Sequence, residues 1–184
     1  IADNIVKLVQ NAKAQLATSV NSIMTETYWN IGKYIVEIEQ DGKATAIYGS
    51  KLLTNLSHEL TLRMGKGYSR PNLNNMRKFY LRYPNCQTVS DNLSWSHICE
   101  LITIDDDLER QFYENECIKE KWDVRTLRRE KDAALFLRLA SSKDKEGILA
   151  LAQNGITYQT PEDVIKSTYT LDFLNIPQMA MYSE

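Results

Sequence analysis

Residues 44–83 read ATAIYGSKLLTNLSHELTLRMGKGYSRPNLNNMRKFYLRY, and this stretch decides the fold. Leu52, Leu53, Leu56, Leu60 and Met64 recur at helical spacings and gather on one side of a helix over 44–64. Gly65-Lys66-Gly67 stops that helix. Ser69 then offers an N-cap, and Pro71 falls in the first turn of the next helix, where a missing N–H costs nothing. This second helix runs from about Arg70 to Tyr83 and ends at Pro84. On its wheel Leu73, Met76, Phe79, Tyr80 and Tyr83 form the packing side. Arg70, Asn74, Asn75, Lys78 and Arg82 lie opposite, with Arg77 at the flank. Helix, short glycine turn and helix make a helix-turn-helix-like unit, whose second member can enter a DNA major groove.

Toward the N-terminus, Ile5, Val9, Ala12, Leu16, Val20, Ile23, Thr27, Ile31, Ile35 and Ile38 repeat every three or four residues. They predict a helix over 3–40, stopped by Asp41-Gly42. Unbroken, it would be roughly 55 Å long, well beyond the ~30 Å of a small domain, so part of it should pass the core or meet a partner. A turn near Thr25–Thr27 would give a helical hairpin instead, and the residues leave both open.

Toward the C-terminus, residues 85–93 are a polar loop. Ser94 or Ser96 opens a short helix to about Thr103. Asp105-Asp106-Asp107 suits the positive end of a helix reaching about Lys121. Asp123 caps a helix from Val124 to about Leu139, apolar nearly all round beyond Ala133, which points to deep burial or a subunit contact. Ser141 or Ser142 begins a last helix to about Gln153, stopped by Asn154-Gly155. No run alternates as a strand does, so the expectation is an all-α domain over 1–155, with 94–153 as its second helical unit. Residues 156–184 read as a linker or arm, with one short helix near Pro161–Lys166.

Composition narrows the functional classes. Apolar residues make up 43% and charged residues 25%, which excludes wholesale disorder, and seven Gly with four Pro are few for an all-β chain. No stretch nears the ~18 apolar residues of a membrane span, and the start lacks a signal-peptide block. Cys86, Cys99 and Cys117 form no CxxC pair, which fits a reducing cytoplasm. The net charge of −2 hides its distribution. Residues 61–83 carry six basic side chains and no acid; residues 100–120 carry eight acids and two bases; residues 121–145 carry eight bases and four acids.

An enzyme reading finds little. His58 and His97 are too few for most metal centres, and His97 and Cys99, two apart, point to different helix faces. The Asp105–Asp107 cluster could hold a divalent ion but reads better as a complement to a helix dipole. Gly65-Lys66-Gly67 lacks the spacing of a phosphate loop. No nucleophile, base and oxyanion donor assemble, so no catalytic residue, metal, cofactor or small-molecule substrate is expected of this chain.

A binding role is better supported. Arg63, Lys66, Arg70, Arg77, Lys78 and Arg82 suit counterion release from a polyphosphate, and Asn74 and Asn75 can make paired hydrogen bonds to adenine. Arg125, Arg128 and Arg129 form a second, weaker candidate set, for which pairing with the acidic helix at 105–121 is the favoured explanation. Trp29, Trp95 and Trp122 could stack on bases, but a tryptophan beside a helix start more often anchors the core. An oligomerisation or partner-binding module is the competing class, motivated by the long first helix and by Ala133–Leu139.

Four strings resemble the N-terminal helical domain of the YhcG family: residues 27–84, LSWSH at 93–97, WDVRTLRRE at 122–130 and LRLASSKDKEGIL at 137–149. The resemblance covers about residues 20–175. It implies bacterial nucleases in which this domain, a DNA-binding module, precedes a PD-(D/E)XK nuclease domain. By position, Gly65, Lys66, Gly67, Ser69, Asn72, Leu73, Asn75, Met76, Arg77, Phe79 and Tyr80 match the family's most recognisable stretch. TPEDVIKSTYTLDFLNI at 160–176 resembles the segment joining the two domains. The Mg²⁺-binding carboxylate–lysine core of the nuclease domain has no counterpart here, so Mg²⁺ is expected only of that missing domain. The resemblance thus implies a non-catalytic domain that positions a nuclease on duplex DNA, as a possible homodimer, in the cytoplasm.

Overall fold

The computed structural model describes residues 1–41, 46–85, 93–141 and 143–157. Among them are eight helices and no strand: α1 (Ala2–Asp41), α2 (Ala46–Met64), α3 (Arg70–Arg82), α4 (Trp95–Leu101), α5 (Asp107–Lys119), α6 (Val124–Asp132), α7 (Leu135–Ala140) and α8 (Lys145–Asn154). The fold is all-α. Most of the loop read at 85–93 and of the arm read at 156–184, with its short helix, lies outside the described residues.

Helix α1 is unbroken over 40 residues, about 60 Å, so the hairpin alternative does not occur. Its C-terminal part lies across α3, and Gly32 sets how closely the two approach. A Cβ at Gly32 would stand 2.0 Å from the carbonyl oxygen of Met76, so a hydrogen is all that fits. Thr25, Ile35 and Val36 are buried along the same seam, and Trp29 donates from Nε1 to the carbonyl of Tyr83 at 2.7 Å. Every residue from Ile1 to Asn21 is exposed. The apolar stripe evident in the sequence is therefore largely not the domain-facing side. At ~100° per residue, Ile5, Val9, Leu16, Val20, Ile23, Tyr34 and Ile38 lie about 180° from the row Thr25, Gly32 and Val36, and all seven are exposed.

Two apolar clusters fill the interior. Ile35, Leu53, Leu73 and Met76 pack with Tyr28, Leu56, Leu60 and Tyr68 where α1, α2 and α3 meet. Phe79 leads into the larger cluster, which continues through Ile98, Leu101, Phe112, Tyr113, Leu127 and Phe136 to Leu151. Trp95 touches both clusters. All three tryptophans pack against this interior.

Where the sequence suggests one helix over 124–139, the chain breaks after Asp132 and restarts at Leu135, with Ala134 left-handed at φ 51°. The Tyr113 hydroxyl fills the break. It donates to the carbonyl of Glu130 at 3.2 Å and accepts from the Phe136 amide at 3.3 Å, serving both new helix ends. Leu135 and Phe136 turn inward as a result, while Leu137 stays exposed, so the stretch after Ala133 is not uniformly buried. The last helix begins at Lys145 with Asp144, not Ser141, as its N-cap, accepting from the Gly147 amide, while Ser142 lies outside the described residues. A carboxylate complements the positive helix end better than a hydroxyl does.

Candidate nucleic-acid interface

The turn between α2 and α3 follows from its glycines. Gly65 and Gly67 adopt φ of 84° and 115°, values that other residues rarely tolerate, and they carry Lys66 outward between them. Ser69 occupies the N-cap position but makes no side-chain cap bond. Asn72 does the gripping instead: Nδ2 donates to the Gly67 carbonyl at 2.5 Å, and Oδ1 accepts from Trp95 Nε1 at 3.0 Å. That one side chain fixes the turn, the start of α3 and the start of α4 relative to one another. Leu73, Met76 and Phe79 are fully buried beneath, so the opposite face of α3 must point outward.

The outward face carries Arg70, Asn74, Lys78 and the apolar Leu81, with Lys66 just ahead of it in the turn. Lys66 and Lys78 are exposed and take part in no ion pair among the described residues. Arg70 is exposed and Asn74 half-buried. At ~1.5 Å per residue, Arg70 and Lys78 stand roughly 12 Å apart along the axis.

The remaining candidates near α3 are placed differently. Arg63 is exposed and pairs with Glu59 one turn earlier on α2, at 2.9 Å. Arg77 reaches α1, where its Nε meets Glu39 at 2.6 Å. Arg82 clamps Asp105, holding both its carboxylate and its backbone carbonyl. Asn75 points toward α4, its amide 3.6 Å from Cys99 Sγ, so it does not belong to the outward face that the wheel suggested. The wheel errs there because α4 packs on that flank, which no periodicity within α3 can reveal.

The second basic set is largely neutralised inside the molecule. Arg128 and Lys131 converge on Glu100 at the end of α4, and both hold its carboxyl below the usual range, with the Arg128 hydrogen bonds foremost. Arg129 folds back on Glu130 at 2.9 Å. Arg125 is exposed on the first turn of α6, near Asp123. The acids that receive these arginines are Glu100 and Glu130, outside the 105–121 helix that the sequence suggested.

The acidic cluster likewise has structural work. Asp106 caps α5 by accepting from the Glu109 amide at 2.8 Å, Asp107 pairs with Arg110, and Asp105 holds Arg82. Arg110 also donates to the Ile104 carbonyl at 3.0 Å and lies 5.8 Å over the Tyr83 ring. His97 is engaged on both nitrogens, Nδ1 with Ser94 Oγ at 2.8 Å and Nε2 with the Trp122 carbonyl at 2.9 Å, which joins α4 to the α5–α6 connection. Among the described residues no group of His, Cys, Asp and Glu is arranged to hold a metal, and no helix is long and apolar enough to cross a membrane.

With this architecture in view, comparison with known proteins defines a class: residues 4–138 match the family described as the DUF1016 N-terminal domain, and the chain belongs to that family. It is 33% identical over 208 aligned residues to a protein of Escherichia coli (strain K12) named "Putative nuclease YhcG". The alignment takes in 96% of this chain and 56% of that protein, so the chain spans little more than half the length of the relative. The resemblance read in the sequence therefore holds. No solved structure matches the chain.

Proposed function

We propose that this chain is the DNA-binding, non-catalytic N-terminal part of a nuclease, which docks on duplex DNA through the outward face of α3 and positions a PD-(D/E)XK domain there. One observation carries the reading: Lys66, Arg70, Asn74 and Lys78 line one exposed face in a segment free of acids. Lysine and arginine there displace counterions from phosphates, and Asn74 is set where a base edge could be reached. The relative's printed name supports the nuclease context. Arg77, Arg82, Arg128 and Arg129, already committed to carboxylates, have a smaller share. Mg²⁺ would serve the nuclease domain, the setting would be the cytoplasm, and the helix-turn-helix-like unit would act by electrostatic positioning plus groove contact.

The test is a salt titration of duplex binding by fluorescence anisotropy. Lys66→Ala, Arg70→Ala and Lys78→Ala together should weaken binding and reduce the slope of log K against log salt by about 2–3, since each phosphate contact contributes ~0.9. Arg128→Ala should leave that slope nearly unchanged. An unaltered slope in the triple variant would overturn the assignment of this face. The exposed stripe of α1 supports a second, compatible role in self-association.

A further inference from the structure

The outer stripe of α1 has an order beyond simple amphipathicity. Its positions, 5, 9, 12, 16, 20, 23, 27, 31, 34 and 38, are spaced symmetrically about a midpoint between Asn21 and Ser22. Laid against an antiparallel copy of itself, the stripe pairs 5 with 38, 9 with 34, 12 with 31, 16 with 27 and 20 with 23, with no position left over. The pairing is also complementary in volume. Thr27 faces Leu16 and Val9 faces Tyr34, while at the remaining small member, Ala12, the partner Ile31 is half-buried against the α1–α2–α3 cluster and offers only its outer edge. In a parallel pairing each would meet itself, Ala12 on Ala12 and Tyr34 on Tyr34, leaving a gap at one level and a clash at the other.

The repeat advances eleven residues in three turns, as 5, 16, 27 and 38 show. That period is close to the 3.6 residues per turn of a straight helix, so the stripe runs nearly parallel to the axis and stays on one side along its length. No charged side chain occupies it. Leu16, Ile23 and Tyr34 are 65%, 62% and 66% exposed, and the stripe as a whole leaves roughly 700 Å² open, near the ~800 Å² that each partner buries in a stable interface. Antiparallel packing also sets the two helix dipoles head to tail.

We infer that α1 is the interface of a two-fold homodimer, in which the outer stripes of two copies pack antiparallel in the register that places Val20 against Ile23 of the second copy. A self-complementary surface is what such symmetry requires, because the same patch must serve both partners. The exposed N-terminal part of each α1 then covers the back of the other copy, which accounts for an apolar surface where no domain lies beneath. This goes beyond the DNA reading and is independent of it, since the assembly forms without nucleic acid.

Sedimentation velocity over a concentration series, with no DNA present, tests the assembly. The 184-residue chain should sediment as a dimer. Leu16→Lys with Ile23→Lys puts four charges into the seam and should raise the dissociation constant on the order of a hundredfold or more. Helical circular dichroism should be unchanged, because both side chains are exposed in the single copy. The register is read separately, by mixing Val9→Cys and Tyr34→Cys proteins, treating with a short bismaleimide and sequencing the linked peptides. Links joining position 9 to position 34 support the antiparallel pairing, whereas links joining 9 to 9 would overturn it. A wild-type monomer at every concentration would overturn the dimer and assign the stripe to a different protein or to another segment of a longer polypeptide. In either case the salt slope of DNA binding is measured on its own.

Discussion

Two helix crossings hold this molecule together by opposite means. Where α1 meets α3, backbone lies almost on backbone: Gly32 rests against the Met76 carbonyl amid apolar and aromatic contacts, flanked by the Arg77–Glu39 pair and the Trp29 hydrogen bond to Tyr83. Where α5 meets α8, polar side chains of one helix terminate the other. Asn115 donates to the carbonyls of Ala152 and Gln153 at 2.7 and 3.0 Å, Lys119 reaches the Ile156 carbonyl, and Glu116 accepts from the Ile156 amide at 2.6 Å. The first crossing depends on the absence of a side chain, the second on the capping of helix-end groups that would otherwise lack partners. Steric closeness cannot relax without moving a helix, whereas a lost cap can be partly replaced by water. The two should therefore fail by different amounts.

The largest loss is expected from Gly32→Ala, about 3 kcal/mol of unfolding free energy by urea titration, because the added methyl meets backbone rather than a movable side chain. An unchanged midpoint would mean that α1 can lift off α3 at little cost. Next comes Gly155→Ala. Gly155 sits at φ 67° and ψ −160°, a region essentially reserved for glycine, and its new Cβ would lie 2.2 Å from Glu116 Oε1. A loss of about 2 kcal/mol should follow, read by the same titration. Asn115→Ala, which uncaps α8 without steric conflict, should cost about 1 kcal/mol and raise hydrogen exchange chiefly in α8.

Glu116 sharpens the contrast through pH. Burial pushes its carboxyl above the ordinary range, against the opposing pull of the Ile156 hydrogen bond. The native state therefore holds this proton more tightly than the unfolded chain does. Its contribution is fully present below the unfolded value of about 4.5 and is lost as pH rises through the folded one. Glu116→Gln should flatten the fall in stability as pH rises above about 4.5, measured by thermal melts at each pH. The smallest effect belongs to a pair outside both crossings: Glu59→Ala removes the exposed contact with Arg63 and should change stability by no more than ~0.5 kcal/mol.

Features encoded by neighbours in the chain were legible in the sequence. Asp106 and Asp123 cap helices as their positions suggested, the glycine turn falls at 65–67, and α3 buries Leu73, Met76 and Phe79. What escaped depends on residues distant in the chain. A three-four repeat shows that residues 3–40 are helical, but not which side meets the domain; Thr25 and Gly32 carry that information, and neither is conspicuous as apolar. The break before Leu135 needs the Tyr113 hydroxyl, about twenty residues earlier. In the basic segment, Arg77 and Arg82 look equivalent to Lys78 until α1 supplies Glu39 and the start of α5 supplies Asp105.

The placement of Gly32 on the inner side of α1 has a consequence for how DNA would be engaged. Since α3 lies on that side and the apolar stripe on the other, α1 stands between the two. Two copies joined along their stripes would place the paired rods in the middle and carry one α3 on each outer side. A ligand held by both α3 helices at once would have to span two rods, about 20 Å at the ~10 Å diameter of each helix.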